Sequence, residues 1–158
     1  MATKDRTAGY DTLAPDTRFN SLLVSKFINC LMHDGKKATA TRVFYDAMDL
    51  IKKRIPEVDP VIVFGDAINN VKPALEVRSR RVGGANYQVP MQVKTHRQQS
   101  LAIRWILAAI RAKSGRPTFQ RLADELIAAS RREGEAMAKR EQTVKMAEAN
   151  KAFSHFAW

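Results

Sequence analysis

The sequence predicts a mainly α protein with six helices and one inserted β-hairpin. Apolar residues recur at helical spacing through most of the chain after about residue 20. The period changes to alternation only over about residues 74–91, which is the pattern of paired strands. Because 45% of the 158 residues are hydrophobic, the chain can form the core of one domain. We divide it into an extended N-terminal arm, residues 1–18, and a helical domain, residues 19–158.

Two helices open the domain. The first begins near Asn20, and the segment HDGKK ends it, where Gly35 suits a left-handed C-terminal cap. The second carries an apolar stripe over about residues 40–51 and ends before Pro56. We expect Cys30, which lies beside the apolar stripe of the first helix, to be a packed thiol.

The third helix has a clear start signal. Asp59 suits the N-cap and Pro60 the first helical position, so we interpret the run VIVF as helix rather than strand. This helix is predicted to end near Asn69 and Asn70, because Pro73 prevents its continuation.

The predicted hairpin carries three arginines. Alternation places Arg78 and Arg80 on one face of the first strand and Arg81 at the turn. Gly83 and Gly84 give the backbone freedom for a turn or for a close approach to a partner. An isolated hairpin is marginally stable in water, so we expect it to project and to become ordered against something else.

Three helices follow the hairpin. A long helix is predicted from about residue 92 to residue 113, another begins near Phe119, and a charged, alanine-rich surface helix covers about residues 133–152. In the long helix Arg97, Arg104 and Arg111 are seven residues apart. Each is rotated by only about 20° around the helix axis from the one before, so the three share one face.

Positive charge is concentrated in the middle of the chain. The formal net charge is +11, and eleven of the 27 lysines and arginines lie between Lys72 and Arg121. Glu76 is the one acidic residue of that stretch, which therefore carries +10. Such an excess indicates a polyanionic partner, since guanidinium groups match the oxygens of phosphate.

We therefore predict a phosphate-binding surface formed by the hairpin, the long helix and the turn between the first two helices. The competing interpretation is that the hairpin is a solvent-exposed edge strand and that the charged face of the long helix is simply exposed to water. Tyr87 either stacks on an unpaired base or packs at the base of the hairpin. The candidate nucleic-acid-binding residues are Lys36, Lys37, Arg78, Arg80, Arg81, Gly83, Gly84, Lys94, Arg97, Arg104 and Arg111.

Other classes of protein are disfavoured. Cys30 and His33 are only two candidate ligands and do not make a zinc site. Motifs for a nucleophile elbow, a phosphate-binding loop or a metalloprotease are lacking, and we expect neither an enzyme nor a cofactor. We also expect no membrane contact, because the sequence has no long apolar run and no secretory signal. The single cysteine, Cys30, favours a reducing interior such as the cytoplasm.

Several strings of residues resemble one family closely. They are FINCLMHDGKK (27–37), RVFYDA (42–47), VRSRRVGGANYQVPMQV (77–93), LAIRWIL (101–107) and MAEANKAFSHF (146–156). They resemble the bacterial-type seventh protein of the small ribosomal subunit over about residues 18–158. The resemblance implies a six-helix bundle with a protruding two-stranded β-hairpin arm.

The resemblance also implies a function. Members of the family that the chain resembles are primary ribosomal-RNA-binding proteins, which bind the 3′ major domain of small-subunit RNA and nucleate assembly of the subunit head. They lie at the subunit interface, near the exit site for transfer RNA and the upstream messenger RNA. Their neighbours in the head include the ninth and eleventh small-subunit proteins.

This chain departs from the family pattern at both ends. The arm has a net charge of zero, where the family is usually basic, and Ala138 and Ala157 stand where the family often has basic residues.

Two rival functions fit the basic surface alone: an architectural DNA-binding protein, which also combines basic helices with a β-arm, and a module that docks an acidic protein. Neither explains the strings quoted above.

Overall fold

The computed structural model describes residues 13–156, and within this range it contains the six predicted helices and the hairpin. A short 3₁₀ helix follows the last α-helix. The bounds are α1 Leu22–Leu31, α2 Lys37–Arg54, α3 Pro60–Val71, β1 Leu75–Val82, β2 Ala85–Gln92, α4 Thr95–Ala112, α5 Thr118–Ser130, α6 Glu135–Ala149 and the 3₁₀ helix Lys151–Phe156.

Helix α5 lies at the centre of the bundle, where it packs against α2, α3 and α4. Three fully buried phenylalanines join the first three helices: Phe27, Phe44 and Phe64. Their ring centroids lie 5.3–5.6 Å apart, within the range of edge-to-face and tilted aromatic pairs. The apolar stripes read from the sequence thus meet in one core.

The ends of the early helices confirm one prediction and correct another. Asp59 accepts a hydrogen bond from the backbone N–H of Val61 at 3.0 Å, as an N-cap should. Helix α1, however, ends at Leu31, so Gly35 is not its cap. Gly35 has φ +72° and lies in a turn with Asp34, φ +50°, because this turn reverses the chain before α2 begins.

Distant side chains satisfy the ends of later helices. Arg121 of α5 donates to the carbonyls of Ile110 and Lys113 at the end of α4. Asn70 of α3 donates to the carbonyls of Ala129 and Ser130, both at 3.0 Å, at the end of α5. Since the last carbonyls of a helix have no partner within it, these bonds fix how neighbouring helices meet.

The hairpin has a two-residue turn. Gly83 (φ +57°) and Gly84 (φ +89°) form it, which is the conformation of a turn that follows the twist of the strands. Arg81 therefore lies within β1, opposite Asn86, rather than at the turn as predicted.

The hairpin is supported within the chain. Strand β1 contacts α6, and β2 contacts α6 and the 3₁₀ helix. The ring of Tyr87 lies 5.3 Å from that of Phe153 and 5.1 Å from that of Phe156, and Val89 is fully buried. The expectation of an arm ordered only against a partner missed this packing, because the aromatic residues of the last turn are far from the hairpin in sequence.

The predicted N-terminal arm is described only from residue 13 onward, and residues 1–12 lie outside the described part. Asp16 is buried, and its carboxylate accepts hydrogen bonds from the backbone N–H groups of Arg18 and Phe19 and from the hydroxyl of Tyr45. The segment before α1 is thus fastened to α2.

Candidate nucleic-acid interface

Helix α4 carries the middle of the predicted surface. Arg97, Arg104 and Arg111 are exposed, and at a rise of about 1.5 Å per residue they span about 21 Å along the helix axis. Lys94 is the N-cap residue of the same helix and is also exposed. We call the surface formed by the predicted cations the basic band. Its members are Lys36, Lys37, Arg78, Arg80, Arg81, Lys94, Arg97, Arg104 and Arg111.

Glu76 joins the hairpin to this helix. Its buried carboxylate accepts hydrogen bonds from Arg78 Nε at 2.7 Å and from Arg97 Nε at 2.8 Å. Glu76, the one acid of the basic stretch, thus compensates part of its charge at Arg78 and Arg97. One acid placed between two arginines lowers their repulsion and holds the arm in register with α4.

The other end of the band lies where α4 meets the turn between α1 and α2. Arg111 and Lys36 line one cavity there, and Arg111 Nη2 donates to the carbonyl of Cys30 at 3.3 Å. The prediction of a packed thiol was wrong, because Cys30 is exposed at the end of α1, as is His33. The structure thus brings residues 36 and 111 together, which sequence spacing could not indicate.

Arg80 and Tyr87 face the C-terminal 3₁₀ helix. Arg80 and Tyr87 are opposite each other in the hairpin, so they share a face, and Arg80 Nη1 donates to the carbonyl of Phe156. Both neighbours of the tyrosine ring are phenylalanines of that helix. Of the two alternatives for Tyr87, packing describes these contacts.

Five cations of the band have side chains that make no hydrogen bond or ion pair within residues 13–156. All five are exposed, and they are distributed over both ends and the middle of the band. They are Lys36, Lys37, Arg81, Lys94 and Arg104. Because nothing within the described chain neutralises them, they are the members freest to meet phosphate.

Three other cations of the basic stretch contact groups elsewhere in the chain instead. Lys113 Nζ lies 2.8 Å from a carboxylate oxygen of Glu125, and this hydrogen bond raises the pKa of the lysine. Arg116 lies 3.5 Å from Asp124, and Arg121 binds the end of α4. Sequence reasoning missed these pairs because both acids lie just beyond the stretch that it counted.

The described residues contain no cluster of three or more histidine, cysteine, aspartate or glutamate side chains arranged to hold a metal ion. Among residues 13–156 no helix has both the length and the apolar character needed to cross a membrane.

Comparisons with known proteins all point to one family. Residues 3–151 match the family described as ribosomal protein S7p/S5e. The small ribosomal subunit protein uS7 of Rhodopirellula baltica is 63% identical over 96% of this chain and 98% of that protein. The proteins of the same name from Magnetococcus marinus and Nitratiruptor sp. are 56% and 53% identical, over 91% and 97% of this chain and 92% and 98% of their own lengths.

Proposed function

The chain belongs to the ribosomal protein S7p/S5e family, and from this premise we propose that its basic band binds the 3′ major domain of small-subunit ribosomal RNA and nucleates assembly of the subunit head. Family members are structural, non-enzymatic proteins of the small ribosomal subunit, a cytoplasmic particle in bacteria, and binding to ribosomal RNA is general among them.

The observation that carries the proposal is the continuity of the band. Hydrogen bonds to Glu76 connect the hairpin to the start of α4, the spaced arginines extend along α4, and the cavity at its end joins Arg111 to Lys36. A surface of this kind neutralises phosphates along a folded strand. It suits recognition by shape and backbone, since the deep major groove of A-form RNA is poorly readable by side chains.

In the proposed mechanism the helical bundle is a rigid wedge that seats at an RNA junction, and the hairpin is the arm that reaches beyond it. The cations lower the repulsion between phosphates that must approach each other, so they favour the folded junction over open forms. We place the hairpin and α6 toward the exit site for transfer RNA and the upstream messenger RNA, with the ninth and eleventh small-subunit proteins as neighbours.

The test compares two variants that each lose two positive charges. Arg81→Gln/Arg104→Gln removes free cations from the band, and Lys52→Gln/Lys53→Gln removes exposed cations from the far end of α2. We expect the first variant to bind 3′ major-domain RNA about 10²–10⁴-fold more weakly, because each of the two lost charge-assisted contacts contributes about 1.5–3 kcal/mol. The second should bind within about twofold of the parent protein.

Equal losses in the two variants would contradict the proposal, because charge alone rather than the band would then govern binding. Footprinting of the RNA with this protein alone should protect the 3′ major domain. Competition with duplex DNA tests the alternative of an architectural DNA-binding protein: if DNA displaces the RNA at equal concentration, that alternative replaces the proposal.

A further inference from the structure

A cavity of about 330 Å³ opens at the end of the basic band, between the turn after α1, the first turns of α2 and α5, and the end of α4. This volume is at the lower end of the range for small-molecule sites, about 300–1,000 Å³. It is lined by Leu31, His33, Lys36, Thr39, Ala40, Val43, Ile110, Arg111, Thr118 and Arg121.

The lining has two chemical halves. Lys36, Arg111 and Arg121 supply positive charge, and the described residues of the lining include no acid. The lining also includes an aliphatic wall: Val43, which is half-buried, and Leu31, Ala40 and Ile110, which are buried. A free phosphate would leave the aliphatic wall uncovered, and an apolar ligand would leave the cations without an anion. The ligand that satisfies both halves has a flat, weakly polar ring joined to a phosphate.

We propose that this cavity binds one unpaired nucleotide of the RNA, with its phosphate at Lys36 and Arg111 and its base against the aliphatic wall. The inference rests on the proposed function, because the nucleotide belongs to the RNA that follows the band. The cavity is continuous with the band, since Lys36 and Arg111 belong to both and Arg111 follows Arg104 by two helical turns on α4.

The donors needed for this role are available. Lys36 Nζ makes no hydrogen bond or ion pair with the described residues, and Arg111 uses only Nη2, for the carbonyl of Cys30. The hydroxyl of Thr118 accepts a hydrogen bond from Arg121 Nη2 at 3.0 Å, which leaves its own O–H free to donate. Arg121 Nη1 is occupied by backbone carbonyls and Nη2 by Thr118, and Nε, which has no partner within residues 13–156, is buried, so Arg121 contributes its charge but not a direct contact.

The helix ends around the cavity favour the same occupant. Helices α2 and α5 both begin at its rim, and neither has a side chain that caps its first N–H groups or an acid in its first turn. The positive ends of two helices therefore add to the charge of the lysine and arginines. They strengthen an anion site that the side chains already define.

The experiment fills the cavity without changing its charge. Thr39 lines the cavity and Ala38 precedes it on α2 without lining it, and both are exposed, so tryptophan at either position leaves the core intact. We expect Thr39→Trp to weaken binding to 3′ major-domain RNA about tenfold, and Ala38→Trp to weaken it less than about threefold. Equal affinities of the two variants would overturn the inference.

A second measurement uses a defined probe on the intact protein. Titration with adenosine 5′-monophosphate should shift the backbone NMR signals of residues 36–40 and of Thr118, and adenosine or inorganic phosphate alone should bind more weakly. Lys36→Gln/Arg111→Gln should abolish these shifts. No shift at these residues, or equal shifts with phosphate alone, would overturn the inference.

The two proposals fail separately. If Arg81→Gln/Arg104→Gln weakens RNA binding and Thr39→Trp matches Ala38→Trp, the band binds RNA but the cavity takes no nucleotide. If the arginine variant binds RNA normally, the proposed function itself is wrong.

Discussion

Glu125 is a single buried carboxylate that connects three helices. It belongs to α5 and is only 1% exposed. One oxygen accepts the backbone N–H of Ala136 at the start of α6 at 2.9 Å, and the other accepts Lys113 Nζ after α4. A buried charge is tolerated when it is paired and hydrogen-bonded, so this residue depends on both neighbours.

The backbone beside Glu125 requires glycine. Gly134 has φ +96°, and a Cβ there would lie 2.9 Å from the Glu125 Oε1 atom. We expect Gly134→Ala to lower the free energy of unfolding by about 1–3 kcal/mol, because it combines a strained φ with this clash. Urea denaturation measures the effect.

Gly65→Ala is the matched control, since Gly65 lies within α3 and a Cβ there would meet no atom within 4 Å. Alanine inside a helix should stabilise the protein by about 0.5–1 kcal/mol relative to glycine. Equal stabilities of the two variants would show that the backbone at Gly134 is not constrained.

The ion pair of Glu125 predicts a dependence on pH. The hydrogen bond to Glu125 is the main cause that raises the pKa of Lys113, with burial acting against it. Lys113→Met should cost about 1–3 kcal/mol at pH 7, less than for a fully buried pair because the lysine side chain is 38% exposed.

The sign of the pH effect follows from the direction of this pKa shift. A raised pKa in the folded state means that the contribution of Lys113 is complete below about pH 10.4, the ordinary lysine value, and is lost as pH rises through the folded value. The stability difference between Lys113→Met and the parent should thus be constant from pH 7 to about pH 9 and shrink above about pH 10.4. Denaturation at pH 7, 9 and 11 measures it, and a constant difference would contradict the assigned ion pair.

At the scale of elements, the hairpin depends on the last helical turn. We expect Tyr87→Ala to remove the contacts with Phe153 and Phe156 and to speed amide hydrogen exchange in β1 and β2, with exchange in α1, α2 and α3 unchanged. Gln88→Ala is the control, because Gln88 is exposed and points to the opposite face of β2. If both variants exchange alike, the aromatic contacts do not support the arm.

The elements also indicate what a sequence can predict. The prediction of helix α3 from its start signal was correct. That signal is local, because Asp59 caps the helix by accepting a hydrogen bond from the backbone N–H of Val61, two residues later. Local periodicity likewise gave the six helices and the strand pairing. The cap on α4 from Arg121, by contrast, depends on the way in which α5 folds back, and no local pattern encodes that contact.

The same limit applies to the candidate site. The sequence identified the cations of the band because charge and spacing are local properties. It missed the pairing of Glu76 with Arg78, which lie two residues apart on one face of β1. It could not show that Arg97, 21 residues from Glu76, shares the same carboxylate, because that contact forms only in three dimensions. The cavity that joins Lys36 to Arg111 was missed for the same reason.

At the scale of the whole molecule, the proposed band has two ends, and on its hairpin Arg81 lies on the opposite face of β1 from Arg78 and Arg80. Arg81 and Arg104 represent the hairpin and the middle of α4, and Lys36 and Lys37 represent the turn before α2. Substitutions at sites more than about 10 Å apart that share no partner usually add in free energy. If one RNA surface follows the whole band, losses at its two ends should therefore add.

Salt dependence provides the measurement of this additivity. The slope of log K against log salt should fall in magnitude by about 0.7–0.9 for each phosphate contact removed, so each of Arg81→Gln/Arg104→Gln and Lys36→Gln/Lys37→Gln should reduce it by about 1.4–1.8. The fourfold variant should show the sum of the two reductions, and Lys52→Gln/Lys53→Gln should leave the slope unchanged. A fourfold variant with the same slope as Arg81→Gln/Arg104→Gln alone would mean that the RNA does not reach the end of the band at Lys36 and Lys37.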